Sequence, residues 1–209
     1  MLVVVEIWSD IACPWCYVGK RRFEAALAGF DHEVEVVWRS FELDPSAPAS
    51  REESAAEHLA GKYGMQVEEA RARQAQLASM AAADGLEFHF DRVQPANTFD
   101  AHRLTHLAKA HGLQDAMKER LQRAYLTDGE LLSDHETLAR LAAEVGVPGA
   151  AEMLASDRYT AEVRDDERLA QEIGITAVPT FVVDRRVAVA GAQQPEVLRE
   201  LLQRGVPIS

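Results

Sequence analysis

Short apolar runs open and close the chain, and a long stretch with helical periodicity separates them. Residues 3–8 are β-branched and apolar over the length of a buried strand. Residues 14–28 repeat apolar side chains at helical spacing, and Pro14 suits a first helical turn because its missing N–H is not needed there. Residues 34–43 predict a second strand. The opening is therefore a predicted βαβ unit with parallel strands and a right-handed crossover.

The middle of the chain, from residue 50 to about residue 174, is almost wholly helical in pattern. Two Ser-x-x-Glu sequences, beginning at Ser50 and Ser133, have the pattern of capping boxes. Glycines divide this stretch into five or six predicted helices, and the Ala-rich residues 70–83 predict an exposed one.

Strand patterns return near the C-terminus. Residues 180–184 and 187–190 are short and apolar, and the Arg185-Arg186 pair between them predicts a two-residue hairpin despite its poor turn chemistry. A final helix is predicted after Pro195.

The element order βαβ, helical block, ββα predicts an α/β fold that an all-helical domain interrupts. A chain of 209 residues is long enough for one domain with a sizeable insertion. The predicted α/β domain comprises residues 1–45 and 158–209, and the predicted insertion comprises residues 46–157.

Net charge and hydropathy limit the kinds of partner that the chain can bind. The chain has 22 Lys and Arg against 34 Asp and Glu, and this net charge of -12 argues against binding to nucleic acid or to an anionic membrane. No stretch approaches a membrane span. The N-terminus has no basic leader and its apolar run is too short for a signal peptide, so we expect a cytoplasmic protein. A homodimer is a candidate assembly.

Cys13 and Cys16 enclose a Pro-Trp pair where the first predicted strand leads into a helix. A helix N-terminus favours the thiolate, which predicts a lowered pKa for Cys13. Because the thiolate attacks disulfides, we expect Cys13 to be the nucleophile and Cys16 to resolve the mixed disulfide. A permanent disulfide would be unusual in the cytoplasm, which favours this redox role.

The two cysteines could alternatively be ordinary cysteines without a redox role, or half of a zinc site. Zinc requires four ligands, and the chain has no second Cys pair. His102 and His106 are spaced i, i+4, but the sequence between them lacks the Glu of a metalloprotease helix. We therefore expect no metal site, and we expect at least one of these histidines to be a surface or packing residue.

Two motifs at opposite ends of the chain carry a family resemblance. Residues 6–16 (Glu-Ile-Trp-Ser-Asp-Ile-Ala-Cys-Pro-Trp-Cys) and 174–181 (Gly-Ile-Thr-Ala-Val-Pro-Thr-Phe) resemble the DsbA-like branch of the thioredoxin superfamily over essentially the whole chain. The Cys-Pro-Trp-Cys-Tyr-x-Gly-Lys opening and residues 97–103 resemble its cytoplasmic, FrnE-like subgroup, named for polyketide biosynthesis. The resemblance implies a thioredoxin-like fold with a helical insertion.

The resemblance also implies roles for individual residues. The Val178-Pro179 bond is expected to be cis beside the cysteines, with the backbone of Val178 pairing with an extended substrate. Glu6 lies where the superfamily often keeps a buried acid that moves a proton to or from the resolving cysteine. Asn97 and His102 belong to a region that shapes the substrate cleft in related glutathione-dependent isomerases, although Asn97 could equally cap a helix.

Trp15 departs from the strongly oxidising periplasmic members, which carry His at this position. That His helps to stabilise the thiolate, whereas an indole is neutral and can only donate a hydrogen bond. We therefore expect a couple less oxidising than the ~-120 mV end of the known range. Trp15 could equally just cover the sulfurs.

The sequence thus predicts a thiol-disulfide oxidoreductase or isomerase that acts on a disulfide- or thiol-containing protein, peptide or small molecule. No bound cofactor is expected, and glutathione is a candidate co-substrate. The alternative is a glutathione-dependent transferase or isomerase resembling 2-hydroxychromene-2-carboxylate isomerase, which typically offers a single reactive Ser or Cys. A third reading is a non-catalytic module that binds extended peptides beside Pro179.

Overall fold

The computed structural model describes residues 2–206. The chain forms two compact units, an α/β unit (Met1–Leu43 with Tyr159–Ser209) and a helical unit (Asp44–Arg158). The helical unit thus runs from residue 44 to residue 158, where the sequence predicts an insertion from 46 to 157. Residue 1 and residues 207–209, which the predicted bounds of the α/β domain include, lie outside the described residues.

The elements follow one another in the predicted order. They are β1 (Leu2–Ser9), α1 (Pro14–Leu27), β2 (Glu33–Ser40), α2 (Ala55–Tyr63), α3 (Val67–Ala83), α4 (Phe99–Ala110), α5 (Gln114–Arg123), a π-helical turn (Ala124–Asp128), α6 (His135–Val145), α7 (Ala150–Leu154), α8 (Thr160–Glu172), β3 (Thr180–Val183), β4 (Val187–Ala190) and α9 (Pro195–Gly205). The region predicted to hold five or six helices holds seven α-helices, because α7 is a single short turn and helix α8 belongs to the α/β unit.

A mixed four-stranded sheet in the order β2-β1-β3-β4 forms the α/β unit. Strands β1 and β2 are parallel, with Val5 opposite Val36, which confirms the predicted βαβ unit. Strand β3 is antiparallel to β1, with Ile7 opposite Phe181, and β4 is antiparallel to β3. The predicted α/β class with a ββα ending is confirmed.

Apolar side chains on both faces of the sheet hold the α/β unit together. Side chains alternate between faces along β1, so Val3, Val5 and Ile7 share one face and Trp8 lies on the other. The first face packs against α1 and α9, and Trp8 packs beside Ala170 of α8. Burying each large apolar side chain contributes about 1.5–3 kcal/mol, so this core fixes the end of β1 from which the cysteine loop leaves.

The hairpin turn between β3 and β4 differs from the prediction. Asp184 and Arg185 have φ values of 48° and 55°, and the Arg186 N–H donates to the Val183 carbonyl at 3.0 Å. The two central residues are therefore Asp184 and Arg185, with positive φ at both as in a type I′ turn, rather than Arg185 and Arg186. The Val4 N–H donates to Asp184 Oδ1 at 2.9 Å, and this bond anchors the turn to β1.

Strand β2 ends at Ser40, three residues before its predicted end. The Ser40 N–H donates to Asp166 Oδ2 at 2.9 Å, and the Leu43 N–H donates to Asp10 Oδ2 at 2.8 Å. These two N–H groups donate to side-chain carboxylates rather than to the backbone of another strand, and the chain leaves the sheet after Ser40.

Both predicted capping boxes are wrong. Helix α2 begins after Ser54, whose side chain accepts from the Glu57 N–H at 3.3 Å while Glu57 accepts from the Ser54 N–H at 2.8 Å. Helix α6 begins after Asp134, which accepts from the Thr137 N–H at 2.8 Å. Ser and Asp are both good N-caps, so neighbouring candidates compete closely.

Helix α3 covers the Ala-rich residues 70–83, and most of its side chains are exposed, as predicted. None of the helices within residues 2–206 combines the length and the apolar character that crossing a membrane requires.

Candidate active site

The two cysteines lie at the start of α1. Cys13 is the N-cap residue, Pro14 is the first helical residue, and Cys16 lies in the first turn. The Cys16 N–H donates to the Cys13 carbonyl at 3.0 Å. Both side chains are thiols and both are buried, Cys13 with 5% of its surface exposed and Cys16 with none. The strand-to-helix placement predicted for the pair is thus confirmed.

The Val178-Pro179 peptide bond is cis, as the resemblance implied. The Cys13 Sγ atom lies 3.9 Å from the Val178 carbonyl oxygen. A Cβ atom added to Gly19 would lie 2.8 Å from Pro179 Cγ, so α1 packs directly against the proline where it has no side chain. The structure therefore brings Cys13, Val178 and Pro179 together, and pairing of Val178 with a substrate stays a prediction.

The pKa of Cys13 is raised well above its ordinary value, contrary to the prediction from the helix N-terminus. The hydrogen bond with the Cys16 side chain is the largest cause, followed by burial and by the charge on Cys16. Asp10 adds a further negative charge that raises the same pKa. These causes together outweigh the stabilisation of the Cys13 thiolate that the start of α1 was expected to provide.

Asp10 is a buried acid at this site that is not among the residues predicted from the sequence. Only 2% of its surface is exposed. Its Oδ2 atom accepts from the Leu43 N–H at 2.8 Å, and its Oδ1 atom accepts from the Ala12 N–H at 3.4 Å. An Asp two residues before a loop amide is a local turn signal, so this role could have been inferred from the sequence.

Glu6 is buried on β1, and its predicted role in proton transfer stays a prediction. Arg39 Nε donates to its Oε1 atom at 3.0 Å, and Arg185 Nε donates to its Oε2 atom at 2.7 Å. Burial alone would raise the pKa of Glu6, but the hydrogen bonds from Arg185 and Arg39 and their positive charges outweigh burial and lower it. Near neutral pH this carboxylate is ionised, so in the predicted role it would accept a proton rather than deliver one.

Glu42 is a buried acid of the α/β unit with a pKa near neutral pH. Burial raises the pKa of Glu42 to about 7, Arg164 opposes the rise, and the nearby Glu167 carboxylate adds to it. Arg164 Nη1 donates to Glu42 Oε2 and to Glu167 Oε2, each at 2.6 Å. Among the described residues, Glu42 Oε1 has no hydrogen-bond partner.

Trp15, between the cysteines, is 42% exposed. An indole that is open on one side offers an apolar surface beside the two thiols.

Asn97 and His102 belong to the helical unit. The Asn97 Oδ1 atom accepts from the Phe99 N–H at 2.8 Å, which holds the first turn of α4, and its Nδ2 atom donates to the Ala47 carbonyl at 3.2 Å. His102 and His106 are both buried in α4. Within residues 2–206, no group of three or more His, Cys, Asp and Glu side chains could hold a metal ion. The substrate-binding roles of Asn97 and His102 stay predictions.

Comparisons with known proteins agree with this architecture. Residues 4–203 match the family model of the DSBA-like thioredoxin domain. The chain is 32% identical over 208 residues to uncharacterized protein YwbO of Bacillus subtilis (strain 168), covering 97% of this chain and 96% of the relative.

Two solved structures share the fold. The probable DsbA oxidoreductase SCO1869 from Streptomyces coelicolor is 44% identical, with a TM-score of 0.92 over 99% of this chain and 93% of the other. The cytosolic disulfide reductase DsbM from Pseudomonas aeruginosa with GSH is 22% identical, with a TM-score of 0.68 over 96% and 98% of the two chains. With a family model that matches nearly its whole length, the chain belongs to the DSBA-like thioredoxin domain family.

Proposed function

We propose that this protein is a thiol-disulfide oxidoreductase that exchanges disulfides through Cys13 and Cys16. The observation that carries the proposal is the placement of Cys13 at the N-terminus of α1, with Cys16 one turn away and the Val178 carbonyl 3.9 Å from the Cys13 sulfur. Membership of a family of disulfide oxidoreductases supports the same class of reaction.

The reaction begins when the Cys13 thiol loses its proton to solvent. The resulting Cys13 thiolate then attacks a substrate disulfide. A bond forms between Cys13 Sγ and one substrate sulfur, and the other substrate sulfur leaves as a thiolate and takes up a proton. Cys16 then loses its proton and attacks Cys13 Sγ, which closes the Cys13–Cys16 disulfide and releases the second substrate thiol. The substrate gains two electrons and two protons, and the cysteine pair loses them.

Two molecules of glutathione would return the pair to its dithiol form. The first breaks the Cys13–Cys16 bond, forms a mixed disulfide with one cysteine and frees the other as a thiol. The second attacks the glutathione sulfur of that mixed disulfide, frees the remaining cysteine thiol and leaves as part of glutathione disulfide. The two glutathione molecules together supply two electrons and two protons. We propose glutathione as the co-substrate and the cytoplasm, where glutathione keeps thiols reduced, as the compartment. Cell fractionation with an antibody to the native protein tests the compartment.

An extended segment of a disulfide-containing protein or peptide is the substrate that we favour. The support is the Val178 backbone beside the Cys13 sulfur, because an extended chain that runs along Val178 would bring its own cysteine to that sulfur. Asn97 and His102 are proposed as further substrate contacts.

The equilibrium between dithiol and disulfide in graded glutathione buffers tests the proposal. Thiol alkylation and mass measurement should show a reversible transition in which two thiols are lost together. Cys16→Ser should accumulate a mixed disulfide on Cys13, whereas Cys13→Ser should accumulate none and should lose substrate reduction. Formation of a stable glutathione adduct without an intramolecular disulfide would instead favour the glutathione-dependent transferase or isomerase.

A further inference from the structure

Asp10 is the first residue after β1, three positions before Cys13. Only 2% of its surface is exposed, and it lies between the end of β1 and the cysteine loop. Because β1 and β2 are parallel, their C-terminal ends lie at the same edge of the sheet. The chain segments that leave these two strands, one leading to Cys13 and one to Leu43, therefore start side by side.

The Asp10 carboxylate links these two segments. One oxygen accepts from the Ala12 N–H, next to Cys13, and the other accepts from the Leu43 N–H at 2.8 Å. Hydrogen bonds to a charged acceptor are stronger than bonds between neutral groups. One oxygen thus contacts the cysteine loop at 3.4 Å and the other holds the segment that follows β2 at 2.8 Å, and these two contacts fix the position of the negative charge.

A fixed, buried negative charge acts on the neighbouring thiols. Charges interact more strongly where water is excluded, and a like charge disfavours ionisation. The pKa of Cys13 is raised by Cys16, by burial and, in addition, by the charge of Asp10. Unlike the contribution of Cys16, that of Asp10 persists when Cys16 carries no charge.

We propose that Asp10 is a positioning residue for disulfide exchange: its carboxylate links the cysteine loop to the segment that follows β2, and its charge opposes the Cys13 thiolate. Opposing the thiolate keeps Cys13 protonated near neutral pH and so limits the fraction of the species that attacks a disulfide. The inference rests on the proposed exchange reaction, although the ionisation of Cys13 can be measured without it.

The test measures the rate of Cys13 alkylation by iodoacetamide against pH in a Cys16→Ser background without any disulfide substrate, so that Cys13 reacts with iodoacetamide alone. Asp10→Asn removes the charge at nearly constant size and should lower the pH midpoint, so that alkylation at a pH well below that midpoint becomes several-fold faster. Asp10→Glu keeps the charge and should leave the midpoint high. Asp31→Asn, at an exposed position of the same unit, is the control for net charge and should change nothing.

An unchanged or raised midpoint in Asp10→Asn, with the fold intact by circular dichroism, would overturn the proposal. If Asp10→Asn does not fold, the Asp10 side-chain carboxyl is followed by carbon NMR in the Cys16→Ser protein with Asp10 intact. Its signal should step at the pH midpoint of Cys13 alkylation, and the absence of a step would equally overturn the proposal. Failure of the redox equilibrium described above would affect the proposed function alone.

Discussion

The sulfur of Cys13 lies 3.9 Å from the carbonyl oxygen of Val178, although 165 positions separate the two residues in the chain. This pairing joins the N-terminal loop of the α/β unit to the loop that precedes β3. The thiol that we propose as the nucleophile and the backbone that we propose to bind substrate therefore lie next to each other. Substitutions in either loop should affect disulfide exchange.

Gly19→Ala should separate α1 from Pro179. The added Cβ atom would lie 2.8 Å from Pro179 Cγ, so the loop must move, and we expect a loss of about 1–3 kcal/mol in the free energy of unfolding. Disulfide exchange should fall more than the folded fraction does, because the loop borders Cys13. Denaturant unfolding and an insulin-reduction assay measure the two effects.

Gly61→Ala is the matched control for that substitution. Gly61 lies inside α2, and an added Cβ would meet nothing within 4 Å. Alanine in an open helical position should stabilise the protein by roughly 0.5–1 kcal/mol and leave exchange unchanged. Equal effects of the two substitutions would contradict a specific contact between Gly19 and Pro179.

Trp15→His should make the couple more oxidising. A protonated imidazole beside the sulfurs stabilises the thiolate, whereas the indole cannot. The glutathione redox midpoint should move to a less negative potential, and Tyr63→His, at another exposed aromatic residue, should leave it in place. A midpoint that stays the same in both variants would assign Trp15 to covering the sulfurs.

Glu42→Gln should change how stability depends on pH. The folded pKa of about 7 lies above the ordinary value of 4.5, so the folded protein holds a proton that the unfolded chain loses between these values. This contribution is fully present below pH 4.5 and is lost as pH rises through about 7, at a cost of about 1–3 kcal/mol. Chemical denaturation from pH 4 to 8 should show a flatter profile in Glu42→Gln, whereas Glu52→Gln, at an exposed site, should keep the wild-type profile.

Glu6→Gln should show the opposite pH dependence. The pKa of Glu6 is lowered in the folded protein, so its contribution is present above pH 4.5 and is lost as pH falls through the folded value. We expect a destabilisation of about 1–3 kcal/mol at pH 7 that shrinks in acid. The rate of disulfide exchange should fall only in proportion to the folded fraction. A larger loss of exchange in fully folded Glu6→Gln protein would support the proton-transfer role.

Local patterns were sufficient to predict the first strand, the first helix and the cysteine pair, because hydrophobic period and Pro14 act within a few residues. The end of β2 could not be predicted in this way, because the acceptor of the Ser40 N–H is Asp166, which is 126 positions away. The raised pKa of Cys13 depends first on its hydrogen bond with the Cys16 side chain and then on burial, and the Cys-Pro-Trp-Cys spacing reveals neither that side-chain geometry nor the burial.

The strand order has a consequence for synthesis of the chain. Strand β1 lies between β2 and β3, and β3 begins only at Thr180. A ribosome that adds 5–20 residues per second needs on the order of ten seconds to reach β3 after completing β1. During that interval one hydrogen-bonding edge of β1 has no partner strand, and Cys13 emerges without the Val178 loop beside it. The nascent chain therefore passes through a period in which the Cys13 thiol lacks its contact with the Val178 loop.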